Sequence, residues 1–492
     1  MPGKSLQPLQ QAVAKAGATI LAHNDNESLQ THVAQLLYGR ASADGRLSAP
    51  IDSLYALGDG VTIDPQTLPH YDLQDYGLSP QLADAVSRTA LEGISKGAYP
   101  GCQVVVMKQG KLLINQAYGT TAGEGSAPLT TDHLFDLASL SKTTGTLLAV
   151  MKLYDTGRLN LNDRLGDLLP WLAATDKRDI TIRQLLFHES GLPSTILFYQ
   201  EAIDKQSYKG PLFKGQRDRL HSVQLASKTW GNPSFHFLEH LTSPVPTARH
   251  TLQVTDSLWL DASFKAAYRR LIAEAKLGTP TMRYSCVGFI LLQQVVEQLS
   301  GEGLDSFLKR HFYDPMGLKY TGYLPLRWVP KEQVVPSNED RFLRKTRIQG
   351  FVHDESAAFQ GGVSGNAGLF STAAEVAQIY QMLLDGGLYR GKRYLSESTC
   401  RLFTTTKSKI SRRGLGFDKP NTQHPDKSPC AAGVPASVYG HTGFTGTCAW
   451  VDPDRQMVYV FLSNRTYPQA WNPQLSRLSI RSRIQELLYA EP

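Results

Sequence analysis

The residues best suited to chemistry are Ser139 and Lys142, which stand three positions apart just ahead of an apolar run. A serine hydroxyl is a poor nucleophile at neutral pH because it must lose its proton as it attacks. On a helix, two side chains at this spacing share one face, so the Lys142 amine can reach the Ser139 oxygen. An amine buried beside other cations can stay neutral and accept that proton. A serine in a first helical turn also keeps its own N–H free for an oxyanion.

The same pair also has a structural interpretation that involves no chemistry. Ser139 can be a helix N-cap, and Lys142 can be a solvated surface residue. A Ser-x-x-Lys spacing is short and common by chance, so other segments must decide between the two interpretations.

Two further segments favour catalysis. Tyr284 lies just before a helical segment, where its phenol can shuttle a proton between lysine, serine and a leaving group. The stretch YGHTGFTGTCAW places His441, Thr442 and Gly443 on a predicted strand, where the glycine allows a substrate backbone to approach closely. The alternatives are a core or capping tyrosine and a glycine-rich bend at a strand start.

In this order and at these separations, the three motifs resemble those of the serine β-lactamase and penicillin-binding protein superfamily. Within it, the chain resembles the class C-like hydrolases: esterases, low-molecular-weight penicillin-binding proteins and D-stereospecific peptidases. The stretches ITIRQLLFHESGLPS (residues 180–194) and GGVSGNAGLFSTAAEVA (residues 361–377) are similar to segments of that group. The resemblance covers roughly residues 80–490. It implies an α+β, β-lactamase-like fold, with an antiparallel sheet flanked by helices and an inserted, mostly helical lobe.

The resemblance also implies a role for each candidate residue. Ser139 is the acylated nucleophile, Lys142 is its base partner, and Tyr284 assists proton transfer in acylation and deacylation. The N–H groups of Ser139 and Phe444 form the oxyanion hole. The strand edge beside the substrate is lined by His441, Thr442 and Gly443. Neither a metal nor an organic cofactor is implied.

Two positions depart from the family pattern. The second motif is usually Tyr-x-Asn, but its third position here is Cys286, and a thiol is a weaker donor and acceptor than an amide. Lys142 is therefore expected to lose a strong partner. The third motif is often Lys-Thr-Gly, but here it begins with His441, which is mostly neutral at pH 7. Weak recognition of a substrate carboxylate and weak β-lactamase activity are expected, with esters or cell-wall peptides as substrates.

The elements that must position these residues follow an order of strands, a long helical middle and strands again. Residues 102–118 read as strand, turn, strand, and residues 448–462 read as a second hairpin. Apolar stripes predict helices after Pro80, after Ser139, at residues 181–187, after Tyr284 and at the C-terminus. We therefore expect an α+β hydrolase domain at residues 81–490 with a helical lobe at about residues 176–345.

Composition excludes several classes of protein. The 492 residues carry 51 basic and 44 acidic side chains, and this mild excess without a clustered motif does not indicate nucleic-acid binding. None of the five cysteines forms a CxxC pair, which argues against a zinc or redox site, although one disulfide bridge is compatible with the spacing. No apolar run is long enough for a transmembrane segment.

The N-terminal region resembles a second family. ILAHNDNESLQTHVAQLLYGRASADGRLSAP (residues 20–50) resembles the end of the α/β sandwich domain of family 3 glycoside hydrolases, which occur fused to β-lactamase-like domains. The resemblance implies a fragment at residues 1–50. The residues themselves predict a short buried strand at 19–22 and, from apolar side chains at helical spacing, a helix at 27–38. A linker at residues 51–80 follows. The glycosidase barrel is absent, so no glycosidase activity is expected. The alternative is an N-terminal arm docked on the hydrolase domain.

A longer precursor would associate the hydrolase with a family 3 domain and supply a signal sequence. The first residues, MPGKSLQPLQQAVAKAG, lack the apolar core of a signal peptide. The resemblance implies a periplasmic or cell-envelope location, while this N-terminus is also compatible with the cytoplasm.

Three other features have both a functional and a purely structural interpretation. The basic, aromatic segment at residues 205–219 suits an acidic ligand, but a solvated insertion is favoured. The run at residues 353–355 offers metal-ligand residue types, but a turn is favoured. His188 and Glu189 are expected to structure a loop. The functional alternative to a hydrolase is a module that binds peptidoglycan or β-lactams without hydrolysing them.

Overall fold

A computed structural model describes residues 19–22, 26–37, 41–51, 55–63 and 72–490 of the chain. It divides into two compact units, Met1–Tyr71 and Asp72–Pro492. The first residues, on which the signal-peptide expectation rests, lie outside the described residues. So do residues 52–54 and 64–71 of the predicted linker and residue 38 of the predicted helix.

The first unit contains the helix predicted after Asn26. It spans Glu27–Leu37. Isolated bridges join Ala43 to Ile63 and Ile51 to Tyr55. The expected buried strand at residues 19–22 is wrong, because these residues are exposed and pair with no strand among the described residues. Without a partner strand, the apolar side chains in this stretch have no sheet to join.

A five-stranded antiparallel sheet forms the centre of the second unit. Its strands are β1 Gly101–Lys108, β2 Lys111–Gly119, β3 Tyr439–Thr442, β4 Cys448–Asp452 and β5 Met457–Ser463. The spatial order is β3-β4-β5-β1-β2. Strands from the two ends of the unit meet where Cys102 of β1 lies opposite Ser463 of β5. Antiparallel pairing of β1 with β2 and of β4 with β5 confirms both predicted hairpins.

Five long or well-placed helices frame this sheet and the site. They are α1 Leu82–Ser95, α2 Leu147–Asp155, α3 Cys286–Ser300, α4 Ala373–Leu384 and α5 Ile480–Ala490. Helix α1 packs against α5, and α4 packs on β1 and β5. Adjacent residues of β1 serve opposite faces, and Gln103 Oε1 accepts a hydrogen bond from the Ala373 N–H of α4. Cover on both faces explains why β1 is buried at seven successive residues.

Further α-helices and short strands complete the second unit. The helices are Leu165–Leu168, Ile182–Phe187, Phe264–Glu274, Leu304–Leu308, Asp314–Met316, Glu355–Ala358, Glu397–Thr405 and Gln474–Arg477. The strands outside the central sheet and the middle region are Phe135–Asp136, Gly322–Tyr323, Asn338–Asp340, Thr346–Ile348, Leu369–Ser371, Leu388–Tyr389 and Lys392–Arg393. Helices packed around antiparallel sheets confirm the predicted α+β fold class.

The middle region differs from the expected helical lobe. Residues 203–261, all described, contain six short strands and no helix: Phe213–Lys214, Val223–Ala226, Thr229–Gly231, Thr242–Ser243, His250–Thr255 and Leu258–Asp261. They form two three-stranded sheets. Strands this short, divided by polar turns, show no clear alternation, so the sequence did not reveal them. The basic segment lies here largely exposed, and Lys214 pairs with Asp218 at 2.7 Å.

Two expectations from composition can be compared with the structure. All five cysteines lie in the described part of the chain and are free thiols, so the compatible disulfide bridge does not form. Among the described residues, no helix has both the length and the apolar character needed to cross a bilayer.

Candidate active site

Ser139 lies in a tight turn between a short strand and a long helix. One 3₁₀ turn, Ala138–Leu140, follows the strand Phe135–Asp136, and Ala138 has a positive φ of 47°. This left-handed conformation is uncommon for a residue with a Cβ atom. The buried Asp136 carboxylate holds the turn by accepting hydrogen bonds from the N–H groups of Ala138 at 2.7 Å and His353 at 2.6 Å. Burial raises the pKa of Asp136 to about 6.

The residues after Ser139 coil more widely than the regular helix expected from the sequence. Lys142–Thr146 form a π-helical turn, and the α-helix α2 begins only at Leu147. All five residues of the π turn are buried. Turns of this kind are frequent at functional sites. The Lys142 amine still reaches Ser139, with its Nζ atom 2.9 Å from Ser139 Oγ.

Lys142 is fully buried and donates three hydrogen bonds. Its acceptors are Ser139 Oγ at 2.9 Å, the Asn366 carbonyl at 2.8 Å and Cys286 Sγ at 3.6 Å. Three acceptors match the three N–H groups of an ammonium. Burial lowers the pKa of Lys142, but its interactions with Cys286 and Tyr284 outweigh burial, so the net direction is upward. This direction favours a protonated Lys142 at rest, whereas the sequence analysis considered a neutral amine.

The site compensates for the cysteine in the second motif. Burial raises the pKa of the Cys286 thiol, so it is neutral and a weak hydrogen-bond acceptor near pH 7. The expected loss of a strong partner for Lys142 is offset by the main-chain carbonyl of Asn366. The sequence analysis did not single out this residue, although it lies in the family-like stretch at residues 361–377.

Tyr284 also contacts Ser139, although the two lie far apart in sequence. Its phenol oxygen lies 2.9 Å from Ser139 Oγ, and its backbone leads into α3 through the N-cap Ser285. His188 supports this entry, since its Nδ1 accepts a hydrogen bond from the Ser285 N–H at 3.1 Å. The His188 and Tyr284 ring centroids are 4.6 Å apart. The loop-structuring role of His188 therefore extends to the placement of Tyr284.

His441 lies on β3 as a neutral imidazole. Its Nδ1 donates a hydrogen bond to the Thr442 carbonyl at 2.7 Å, and its buried Nε2 has no partner among the described residues. Burial, together with the charges of Arg413 and Lys142, lowers the pKa of His441 to about 3. Its ring centroid is 5.9 Å from that of Tyr284. The third motif thus places no positive charge beside the tyrosine.

The end of β3 packs directly on the serine turn. The strand ends at the half-buried Thr442, and Gly443 begins the turn to β4, so the prediction of Gly443 on the strand is off by one residue. A Cβ atom at Gly443 would lie 2.0 Å from Thr447 Oγ1 and 2.6 Å from the Leu137 carbonyl. Only glycine fits this approach. Phe444 follows in the turn with 49% of its surface exposed.

The sequence analysis missed one charged residue of the site, Arg413. Its guanidinium carbon lies 5.1 Å from the Tyr284 ring centroid, and the side chain is buried. Its Nε and Nη1 atoms have no hydrogen-bond partner in the described chain. Burial lowers the pKa of Arg413. Arg412-Arg413 reads as an exposed basic pair in sequence, so no sequence signal distinguished the buried arginine.

The metal-like run at residues 353–355 has a structural role. Asp354 caps the helix Glu355–Ala358 by accepting a hydrogen bond from the Ala357 N–H at 2.9 Å. His353 is buried and packs against Phe444, with ring centroids 5.6 Å apart. In the described part of the chain, no group of three or more histidine, cysteine, aspartate or glutamate side chains is placed to hold a metal ion.

The geometry converges on one partly buried hydroxyl. The Ser139 oxygen lies between an ammonium and a phenol, each at 2.9 Å, beside the edge of a strand. An alcohol held in this way is arranged to attack a carbonyl and form an ester with its acyl group. The sequence profile of the beta-lactamase family matches residues 86–478. The chain belongs to the beta-lactamase family. It is an enzyme of the serine-hydrolase type.

Three proteins illustrate what is similar to this chain over most of its length. A protein of Escherichia coli K12 named "Putative D-alanyl-D-alanine carboxypeptidase" is 28% identical over 403 residues, 76% of this chain and 81% of that protein. An N-acetylmuramyl-L-alanine amidase of Bacillus subtilis is also 28% identical, over 76% of this chain and 79% of its own length. A penicillin-binding protein homologue from Caulobacter crescentus shares the fold, with a TM-score of 0.56 and 18% identity. The alignment covers 85% of this chain and 99% of the homologue.

Proposed function

We propose that this chain hydrolyses amide bonds in cell-wall peptides through an acyl-enzyme formed on Ser139. The observation that carries the proposal is the placement of Ser139 Oγ 2.9 Å from both Lys142 Nζ and the Tyr284 phenol. The similar carboxypeptidase and amidase names both refer to amide bonds of peptidoglycan, which supports an amide rather than an ester as the main substrate.

The proposed acylation uses Tyr284 as the proton shuttle. In this step Tyr284 acts in its deprotonated form: as Ser139 Oγ bonds to the substrate carbonyl carbon, the serine proton passes to the phenolate oxygen. As the C–N bond breaks, Tyr284 gives a proton to the leaving nitrogen and returns to its starting form. The Lys142 ammonium keeps its proton and stabilises the negative charge that develops on the serine oxygen.

The oxyanion of the tetrahedral intermediate is assigned to the N–H groups of Ser139 and Phe444. Neither group donates a backbone hydrogen bond to another described residue in the turns around them. Free donors of this kind can stabilise negative charge without any rearrangement. Water then attacks the acyl ester by the reverse proton path, with Tyr284 accepting the proton of the water.

The departures at Cys286 and His441 disfavour recognition of a substrate carboxylate, whether of a β-lactam or of a D-Ala-D-Ala terminus. The thiol offers a weak donor where an amide would bind a substrate carbonyl, and the neutral imidazole gives a carboxylate no charge to pair with. We therefore expect weak turnover of penicillins and cephalosporins. A location in the cell envelope fits cell-wall peptide substrates, and an association with a family 3 glycoside hydrolase domain in a longer precursor stays a prediction.

The test compares the intact chain with Ser139→Ala on defined peptidoglycan fragments. One substrate is a muramyl peptide and the other is a peptide ending in D-Ala-D-Ala, with products identified by mass spectrometry. The proposal requires peptide release or D-alanine release that the variant abolishes. Mass labelling with a fluorophosphonate should add one group at Ser139. Stable labelling without turnover of either fragment would instead indicate a binding module.

A further inference from the structure

The charge around Tyr284 is distributed unusually. The titratable or charged side chains that face the ring come from five separate segments: Lys142, His188, Cys286, Arg413 and His441. Cys286 is a neutral thiol, and burial followed by the charge of Arg413 lowers the pKa values of both histidines far enough to keep them neutral near pH 7. Of the described side chains that face this ring, Lys142 and Arg413 are therefore the two that carry charge.

Arg413 retains an uncompensated positive charge. In the described part of the chain, its ion-pair partner is Asp418, and Arg412 already binds that carboxylate through two hydrogen bonds at 2.8 Å and 3.0 Å. Arg413 approaches it only at 3.3 Å through Nη2. Two guanidinium groups thus share a single negative charge. The surplus lies in a buried environment, where electrostatic interactions are stronger than in water.

The loop that carries Arg413 is fixed to the segment beside Tyr284. Glu189 Oε1 accepts hydrogen bonds from the hydroxyls of Ser408 and Ser411, the latter at 3.0 Å. The Ser408 N–H donates to the Arg413 carbonyl at 2.8 Å. Glu189 follows His188, whose ring packs on Tyr284. The guanidinium is therefore held against the phenol ring by a network and does not lie there by chance.

We propose that Arg413 is a positioning residue for the hydrolysis, which acts through Tyr284 rather than on the substrate. The inference rests on the proposed function. Its charge favours the state in which the Tyr284 oxygen is negative and ready to accept the Ser139 proton. Arg413 takes the place of the cation that the third motif lacks, since His441 is neutral. The Nε and Nη1 atoms of Arg413 are buried, which fits a role through the Tyr284 ring.

The test uses Arg413→Gln, Arg413→Lys and the matched control Arg412→Lys, which breaks the two-bond guanidinium contact with Asp418 but keeps the positive charge beside it. With the peptide substrate that the wild-type enzyme cleaves, we expect Arg413→Gln to lower kcat about 10- to 100-fold with little change in KM. The Lys variant should recover most of the loss. The control should lower the melting temperature at least as much but leave kcat within about threefold.

A pH profile separates an electrostatic role from a structural one. Loss of a positive charge disfavours the negative phenol oxygen, so the acidic limb of the kcat profile should move to higher pH in Arg413→Gln, by about one pH unit or more. It should return in Arg413→Lys. An unchanged limb with an unchanged kcat would overturn the inference, and a rise confined to KM would assign Arg413 to substrate binding instead. If Ser139→Ala retains activity, the proposed function itself fails, whatever Arg413 does.

Discussion

The phenol oxygen of Tyr284 lies 2.9 Å from Ser139 Oγ, although 145 residues separate the two in sequence. The intervening chain includes the two small sheets of the middle region. The two residues meet because α3 packs against both α2 and the π turn that follows Ser139. The site is therefore a product of tertiary packing and depends on a helix interface, not on one local motif.

Replacement of Tyr284 by Phe should remove the proton shuttle and keep the ring. We expect kcat on the peptide substrate to fall by about 10²- to 10⁴-fold, the range of general acid–base catalysis, with an unchanged melting temperature. Tyr394→Phe is a suitable control because it also loses one hydroxyl hydrogen bond, to the Pro315 carbonyl, far along the chain from the motifs. Steady-state kinetics of the two variants decide the matter. Equal activities would remove Tyr284 from the mechanism.

Replacement of Cys286 by Asn should restore the amide of the usual second motif. The amide can accept a hydrogen bond from Lys142 and donate one to a substrate carbonyl, which the thiol does only weakly. We expect labelling of Ser139 by a fluorescent penicillin to become at least about tenfold faster. Cys286→Ser, which lacks the amide donor, serves as the control. If Asn and Ser behave alike, the thiol does not limit β-lactam recognition.

Asp136 should make stability depend on pH between about 4 and 6. Its pKa is raised to about 6 by burial, so the folded state binds more protons than the unfolded state in this window. This carboxyl therefore lowers the free energy of unfolding as pH rises from 4 to 6, by up to about 3 kcal/mol. Its contribution is constant above that range.

The measurement compares thermal unfolding of the wild type and Asp136→Asn at several pH values. The variant should be less stable at every pH, because its amide nitrogen faces the His353 or Ala138 N–H and one hydrogen bond is lost. The difference between the two proteins should shrink as pH rises from 4 to 6. A difference that is constant over this range would show that Asp136 does not titrate there.

Replacement of Gly443 by Ala should damage both stability and activity. The added carbon would lie 2.0 Å from Thr447 Oγ1 and 2.6 Å from the Leu137 carbonyl, so β3 must move away from the serine turn. We expect a loss of about 2 kcal/mol or more in the free energy of unfolding and a fall in kcat. Gly278→Ala, whose added carbon meets no atom closer than 3.4 Å, is the control for a glycine substitution. Denaturant unfolding and kinetics should separate the two.

The sequence predicted the sheet well because its strands carry strong local signals. The run VVVM in β1 is apolar throughout, and Gln109-Gly110 provides a turn with positive φ at both residues, 51° and 73°. The predicted helices at residues 181–187 and after Tyr284 are also present, and each follows an N-cap side chain, Thr181 and Ser285. The middle region was not predictable in this way. Its strands have two to six residues and acquire their identity only from neighbouring strands.

In the site too, local features were predictable and features that depend on tertiary packing were not. Side chains in short motifs, such as Ser139 with Lys142, can be recognised because the covalent chain fixes their spacing. The surroundings of Lys142 were not predictable, since they include the Asn366 carbonyl, which lies 224 residues away in sequence. Arg413 was missed for a similar reason, because burial against Tyr284 is a property of the folded loop and not of the residue.

A main-chain carbonyl is the one hydrogen-bond acceptor that substitution of a side chain cannot delete. As long as the loop keeps its path, Asn366 offers this oxygen to the amine whatever residue occupies position 366. A substitution in the second motif therefore leaves this hydrogen bond of Lys142 in place. Position 286 is thus a place where a substitution can change substrate selectivity while Lys142 stays beside the Ser139 oxygen.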